Sequence, residues 1–191
     1  MALRAFVGIA VSYGIREAIA RTSAALARSG ADVRWTAAEN LHLTLKFLGS
    51  VEPASLKQLE NDLAVVAVRY SPILLSVAGL MAFPNRRRPR IIGVGCGGAI
   101  GEIQRLAEDV EACARRIGVP PEGRDFRSHI TIGRVRSGRG AEALRSLCES
   151  RIDTPFGEMR ADAFTLYESL LSPTGSRYTV LRKFPLSAGI S

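Results

Sequence analysis

The sequence predicts an α+β fold of two lobes related by pseudo-symmetry, each a mainly antiparallel sheet with flanking helices, facing one another across a cleft. Three observations carry that expectation. The stretch His42-Leu43-Thr44-Leu45 returns as His129-Ile130-Thr131-Ile132, and each copy alternates polar and apolar residues as a half-buried strand does. Each copy is followed by a turn, a helix and a further strand, although residue identity between the halves is low. Strands joined by hairpins, and by helices on one face, belong to an α+β arrangement rather than to a doubly wound parallel sheet. Two lobes packed about a pseudo-twofold axis would bring the two His-Thr arms face to face.

The elements follow in chain order. Arg4 to Ala10, rich in Phe6, Val7 and Ile9, reads as a strand. Residues 13 to 29 read as a helix, since Ile15, Ala18, Ile19, Thr22, Ala25 and Leu26 fall on one stripe and Gly30 supplies a left-handed cap. Val33 to Trp35 is a short strand or turn, with Trp35 in the core. The first motif strand, Leu41 to Leu48, ends at Gly49. Glu52-Pro53 starts a helix that runs to about Tyr70, with proline where its missing N–H is harmless. Ile73 to Val77 is a strand. It leads through Phe83-Pro84 into the basic run Asn85-Arg86-Arg87-Arg88-Pro89-Arg90, an exposed loop set between prolines. Ile91 to Cys96 is a nearly apolar strand, and the next helix has the stripe Ile100, Ile103, Leu106, Val110, Ala114 and Ile117, closed by Gly118. A polar connection, Glu122 to Arg127, enters the second motif strand, Ser128 to Val135. A helix from about Gly140 to Ser150 follows. Strands near Phe156 to Tyr167 and Tyr178 to Phe184 close the chain as a hairpin around Ser172-Pro173-Thr174-Gly175.

A chain of 191 residues with 47% hydrophobic residues suits a single domain over 1–191. No apolar run is long enough to span a membrane and no signal-peptide pattern opens the chain, so a soluble, cytoplasmic monomer is expected. Cys96, Cys113 and Cys148 lack C-x-x-C spacing and read as reduced core residues. The net charge of +8 rests on 23 Arg against 3 Lys, which favours an anionic partner because Arg grips phosphate oxygens in a fork; an arginine-rich composition without a partner is the other reading. The basic run has the same two readings, a solvated loop or a contact to RNA phosphates. Phe83 beside it is either an anchor to the core or a stacking ring.

The two histidines are the only ones in the chain, and it holds only 8 Thr. The chance that Thr falls two places after a given His is about 0.04, and that it does so twice about 0.002. The repeat is therefore a signal. In-line displacement at phosphorus needs a base for the attacking oxygen and, opposite, an acid for the leaving one. Two imidazoles with ordinary pKa values of about 6.5 can divide those roles at neutral pH. A Thr hydroxyl two residues along the same strand face, roughly 6 to 7 Å away, can donate to a non-bridging phosphate oxygen. A single strand histidine would more simply be satisfied by a backbone carbonyl. Neither motif has Cys, Asp or Glu at metal-ligand spacing, so no metal site is expected. No G-x-S-x-G turn and no phosphate-loop fingerprint occur, so no triad and no nucleotide cofactor are implied.

The stretches Asn40-Leu41-His42-Leu43-Thr44-Leu45-Lys46-Phe47-Leu48-Gly49 and Ser128-His129-Ile130-Thr131-Ile132-Gly133-Arg134-Val135 resemble the two-histidine (2H) phosphoesterases, specifically the RNA 2′,3′-cyclic phosphodiesterases, also called the 2′-5′ RNA ligase family. The resemblance extends over Arg4 to Gly8, over Ala82-Phe83-Pro84 with Arg88-Pro89-Arg90, and over Leu166 to Ser169 with Gly175 and Tyr178. It implies a metal-independent hydrolase in which His42 protonates the leaving O3′ and His129 activates water. Thr44 and Thr131 would hold the phosphate oxygens, Arg134 would bind substrate, and the product would be a 2′-phosphomonoester. The partners implied are RNA ends or small cyclic phosphates. Three positions depart from the family pattern: Gly93 where Trp is common, Ser128 where Pro often precedes the second His, and Gly133 where Ala is usual. Rival functions are an ATP-independent ligase using the same histidines in reverse and a non-catalytic RNA-end binding module, which would not need two ionisable groups of opposed roles.

Overall fold

The strand beginning at His42 runs through Gly49 to Val51, and the strand beginning at His129 runs to Val135. Around these two the computed structural model, which describes residues 2–85, 87–172 and 175–187, arranges one sheet and four helices. In chain order the elements are β1 (Leu3–Ala10), α1 (Tyr13–Ala27), β2 (Val33–Trp35), a 3-10 turn (Ala38–Asn40), β3 (His42–Val51), α2 (Pro53–Ala67), β4 (Ile73–Phe83), β5 (Ile91–Gly98), α3 (Ile100–Arg116), β6 (His129–Val135), α4 (Ala141–Glu149), β7 (Pro155–Ala161), β8 (Ala163–Ser172) and β9 (Gly175–Pro185). The spatial order is β7-β4-β5-β6-β3-β1-β8-β9, with β2 added on β6, and every neighbour is antiparallel.

β3 and β6 meet at a single residue pair, Leu43 with Ile130. That pair divides the sheet into two lobes, β3-β1-β8-β9 on one side and β2, β6, β5, β4 and β7 on the other. α2 and α3 pack together over the first lobe, against β9 and β3; α1 and α4 cover the second, against β7, β6 and β4. The expected bilobal α+β fold is therefore present, but its lobes are not the two halves of the chain. β1 lies in the first lobe while α1, which follows it, packs on the second. β5 lies in the second while α3 packs on the first. Each half threads through both lobes, and the buried residues of both form one continuous core that includes Leu43, Ile130, Leu59, Leu63, Ile103 and Leu106.

Several strands differ from their expected extents. β4 continues six residues past Val77, because Gly79 takes φ +75° at a bulge and the chain 151–154 approaches there. A Cβ on Gly79 would collide with the carbonyl oxygen of Ile152, and the Gly79 N–H donates to Thr154 O at 2.9 Å. The segment expected as one strand from Phe156 to Tyr167 is two, β7 and β8, since β7 pairs with β4 and β8 crosses to pair with β1. Ile100, placed on the α3 stripe, is 55% exposed at the helix start, whereas Ile103, Leu106, Val110 and Ala114 are buried as expected. β8 and β9 form the closing hairpin; its turn residues Pro173 and Thr174, like Arg86, lie outside the described residues. Cys96, Cys113 and Cys148 are all buried, and desolvation pushes the Cys96 thiol up to about 12.

Lys46 is a buried charge on β3, at 4% exposure. Its Nζ meets Glu111 of α3 at 2.8 Å and donates to Pro120 O at 2.9 Å, while Glu111 also accepts the N–H of Glu122. These contacts tie β3 to α3 and to the connection that delivers His129. Removing one partner of a buried pair typically costs ~3–5 kcal/mol, because the other charge is left uncompensated. Glu111→Ala should accordingly destabilise the fold by about 3 kcal/mol in chemical denaturation, the low end because Glu111 is partly solvated. Adding Lys46→Met to that variant should recover most of the loss, and additive effects of the two substitutions would show that the pair is not coupled.

Candidate active site

The two motif strands share more than sequence. Along β3, from His42 to Phe47, exposure runs partly buried, buried, partly buried, buried, buried, exposed; from His129 to Arg134 on β6 it is the same. The break in alternation has one cause in both. Leu45 has no partner on β1, since Val7 pairs with Lys46 and Gly8 with Thr44. Ile132 has none on β5, since Ile92 pairs with Gly133 and Gly93 with Thr131. Each is a β-bulge three residues after the histidine, and an extra residue there turns the next two side chains inward together. Beyond it the fifth residue after each His returns to the cleft face: Phe47 on one arm, 52% exposed, and Arg134 on the other.

The Leu43–Ile130 pair sits between the arms. In an antiparallel ladder its flanking residues lie across from one another on the opposite face, which places His42 beside Thr131 and Thr44 beside His129. Leu43, Leu45, Ile130 and Ile132 point into the core. The four motif residues expected to act together are thus brought together, and Arg134 joins them.

The rings are oriented alike. His42 Nδ1 is 2.7 Å from Asn40 O, and His129 Nδ1 is 2.6 Å from Arg127 O, each the carbonyl two residues earlier. A carbonyl only accepts, so Nδ1 carries the hydrogen and Nε2 is left to face the cleft. Under each ring lies a glycine paired with the motif threonine. A Cβ on Gly8 would meet His42 Cδ2 at 3.4 Å and Leu43 O at 2.9 Å; on Gly93 it would meet His129 Cδ2 at 3.1 Å and Ile130 O at 3.2 Å. Gly93, one of the departures from the family pattern, is therefore a seat for the His129 ring. Gly133 has a separate reason, since a Cβ there would strike Val33 and the Trp35 ring, and Trp35 is partly buried against the core as expected.

Aromatic rings wall both histidines. Phe6 lies 4.5 Å from His42, and Tyr178 meets His42 edge-on at 5.2 Å, with Tyr167 stacked on Phe6 at 5.0 Å. Phe83 lies 4.6 Å from His129, so it is a wall of the site rather than a simple loop anchor. These rings come from β1, β4, β8 and β9, and nothing in their sequence spacing marks them as neighbours. The basic loop beyond Phe83 is folded by Asn85, whose Oδ1 accepts the N–H groups of Arg87 and Arg88, and both arginines are exposed.

Burial lowers the pKa of both histidines, and Arg134 lowers both further; the hydrogen bonds to Asn40 O and Arg127 O oppose this only in part. His129 also lowers His42. Both imidazoles are thus biased toward the neutral form in the free protein, and the proton that a donor needs is favoured once an anion enters between them. With only two histidines, an NMR titration resolves each. Both midpoints should fall below 6.5, and Arg134→Ala should raise both, since it removes a positive charge that opposes protonation. Midpoints at or above 6.5 would contradict the burial and charge seen here.

The sequence pattern of the LigT-like phosphoesterases matches this chain twice, at residues 9–93 and 94–178. The RNA 2′,3′-cyclic phosphodiesterase of Archaeoglobus fulgidus is 35% identical over 183 residues, covering 95% of this chain and 99% of its own; that of Methanothermobacter thermautotrophicus is 33% identical over 188 residues, covering 97% and 100%. Among solved structures, E. coli LigT in its apo form superposes with a TM-score of 0.78 at 28% identity, covering 97% of this chain and 98% of its own, and LigT complexed with 3′-AMP with 0.75. A duplicated motif with matching bulges, ring seats and tautomers, and a family pattern that recurs once in each half, place this chain in the LigT-like phosphoesterase family.

Proposed function

We propose that this chain, acting as one 2H phosphoesterase domain, is an RNA 2′,3′-cyclic phosphodiesterase that opens cyclic ends to 2′-phosphomonoesters. The observation that carries the reading is the pair of histidines presenting Nε2 from two strands into one cleft, each with a threonine beside it and with Arg134 bearing on both. The names of the relatives and the nucleotide held by LigT in its complex support it.

In this reading the cyclic phosphate lies over the Leu43–Ile130 crossing. Thr44 and Thr131 donate hydrogen bonds to its non-bridging oxygens and Arg134 offsets its charge. His129 Nε2 takes a proton from water as the water oxygen bonds to phosphorus; the P–O3′ bond breaks on the opposite side, and His42 Nε2–H protonates O3′. One proton is gained at one ring and one lost at the other, so solvent exchange resets the pair. Assigning His42 as donor follows the family resemblance, since the two rings are held equivalently. The hydroxyls and the guanidinium around the rings suit phosphate oxygens rather than a divalent cation.

The direct test is to incubate the protein with an oligonucleotide ending in a 2′,3′-cyclic phosphate and identify the terminal group. A 2′-phosphate is expected. No turnover of any cyclic phosphate would favour an RNA-end binding module, and joining to a 5′-hydroxyl end would favour the ligase. His42→Ala and His129→Ala should each lower kcat by at least ~10²-fold with the fold retained; near-normal turnover in either would refute the paired mechanism.

The pH dependence follows from the lowered pKa values. One ring must be neutral and the other protonated, so log kcat/KM should be bell-shaped. Because both free-enzyme values lie below 6.5, the protonated donor is depleted as pH rises past its lowered pKa, and both limbs should lie on the acid side of 6.5. Activity should persist in EDTA, and a loss that a divalent ion restores would overturn the acid-base reading.

A further inference from the structure

Arg34 on β2 pairs directly with Arg134 on β6, flanked by Trp35 with Gly133 and Val33 with Val135. Residues opposite one another in an antiparallel pair project from the same face, and like charges there are unfavourable without a counter-charge. Both arginines are exposed, and among the described residues neither forms an ion pair with an acidic side chain. Elsewhere the chain does partner its arginines on the surface, as in Arg116 with Asp62 and Arg160 with Asp162. Among the described residues the Arg34–Arg134 juxtaposition is thus a cationic pair with no acidic partner.

Its direction is set by two neighbours. Arg134 bears on both histidines, so it faces the cleft, and Arg34, opposite it in the ladder, projects from the same face. Arg34 Nη2 lies 3.6 Å from the position a Cβ would take on Gly175, at the end of the β8–β9 hairpin. That hairpin belongs to the other lobe. It is tied to the first motif by Asn40 Nδ2 donating to Ser176 O at 2.7 Å, and it carries Tyr178 against His42. Arg34 therefore reaches from one lobe toward the hairpin of the other.

We propose that Arg34 is a second phosphate seat, which takes the phosphate on the 5′-oxygen of the same nucleoside whose 2′,3′-cyclic phosphate lies at the histidines. The proposal rests on the phosphodiesterase reading and specifies its substrate. Strand neighbours are about 4.5–5.5 Å apart at Cα, so the two arginines leave the sheet side by side, and two such cations suit two phosphates joined through one ribose. Such a contact is made equally in ground and transition states, so it belongs in KM rather than kcat.

The experiment compares three substrates: a nucleoside 2′,3′-cyclic phosphate with a free 5′-hydroxyl, the same compound with a 5′-phosphate, and a dinucleotide ending in a 2′,3′-cyclic phosphate. Arg34→Gln should raise KM roughly tenfold for the second and third, leave their kcat unchanged, and leave both constants for the first unchanged. It should also lower the salt-dependence slope of KM by about 1 for the phosphate-bearing substrates. Arg34→Lys should retain part of the effect through its charge, and Arg28→Gln, on the exposed end of α1, controls for net charge. A response confined to the dinucleotide would locate the ligand as the diester of a preceding nucleotide; a response of both would show that any 5′-phosphate suffices. Equal responses of all three substrates, or of none, would overturn the proposal, whereas failure of the unsubstituted protein to turn over any of them would overturn the phosphodiesterase reading instead.

Discussion

The single backbone pair between Leu43 and Ile130 is the contact on which the site depends. It is where the two lobes of the one sheet join, and both of its residues are fully buried. Burying a side chain of that size is worth about 1.5–3 kcal/mol, so the crossing is held by the core beneath it rather than by a long ladder of hydrogen bonds. The period of two then does the rest. With Leu43 and Ile130 facing inward, the residues on either side of each must face the cleft, and a slip of either strand by one residue would bury its histidine and expose its Leu43 or Ile130.

The bulges at Leu45 and Ile132 extend this logic. Without them the fifth residue after each histidine would face the core, where an Arg134 guanidinium could not stand unpaired. With them Arg134 and Phe47 return to the cleft, and the second inward residue becomes a point of attachment. On β3 that residue is Lys46, paired with Glu111; on β6 it is Gly133, pressed against Val33 and Trp35. One backbone device therefore serves two purposes, aiming a functional side chain and fastening the motif strand to its neighbour. The two arms end differently, in a ring and in a guanidinium, so the cleft is symmetric in backbone and asymmetric in chemistry.

Electrostatics and tautomer are set by the same local structure. Each ring is oriented by a carbonyl two residues earlier on the chain, a bond that needs no partner from elsewhere in the fold. Burial under aromatic rings and the nearby Arg134 then bias both imidazoles toward the neutral form. The cationic character of the cleft is consequently carried by arginines, whose charge does not vary over the range in which the histidines titrate.

The sequence by itself determined the motif strands, their inward and outward faces, four helices and the α+β class, because each of these is written in a local period of 2 or 3.6. It also singled out His42, Thr44, His129 and Thr131, since a repeated pair of rare residues is visible without knowing where the chain goes. The tertiary structure alone decided the rest. The extension of β4 past Gly79 and the split of β7 from β8 depend on which strands arrive as partners. The interlocking of the two halves, with α1 and α3 each packing on the lobe opposite the strand they leave, has no local signature. Phe6, Tyr167 and Tyr178 gather on one histidine and Arg34 beside Arg134 for the same reason: pairing across strands places residues that are far apart in sequence within a few ångströms, and no periodicity along a single strand records what lies on the next.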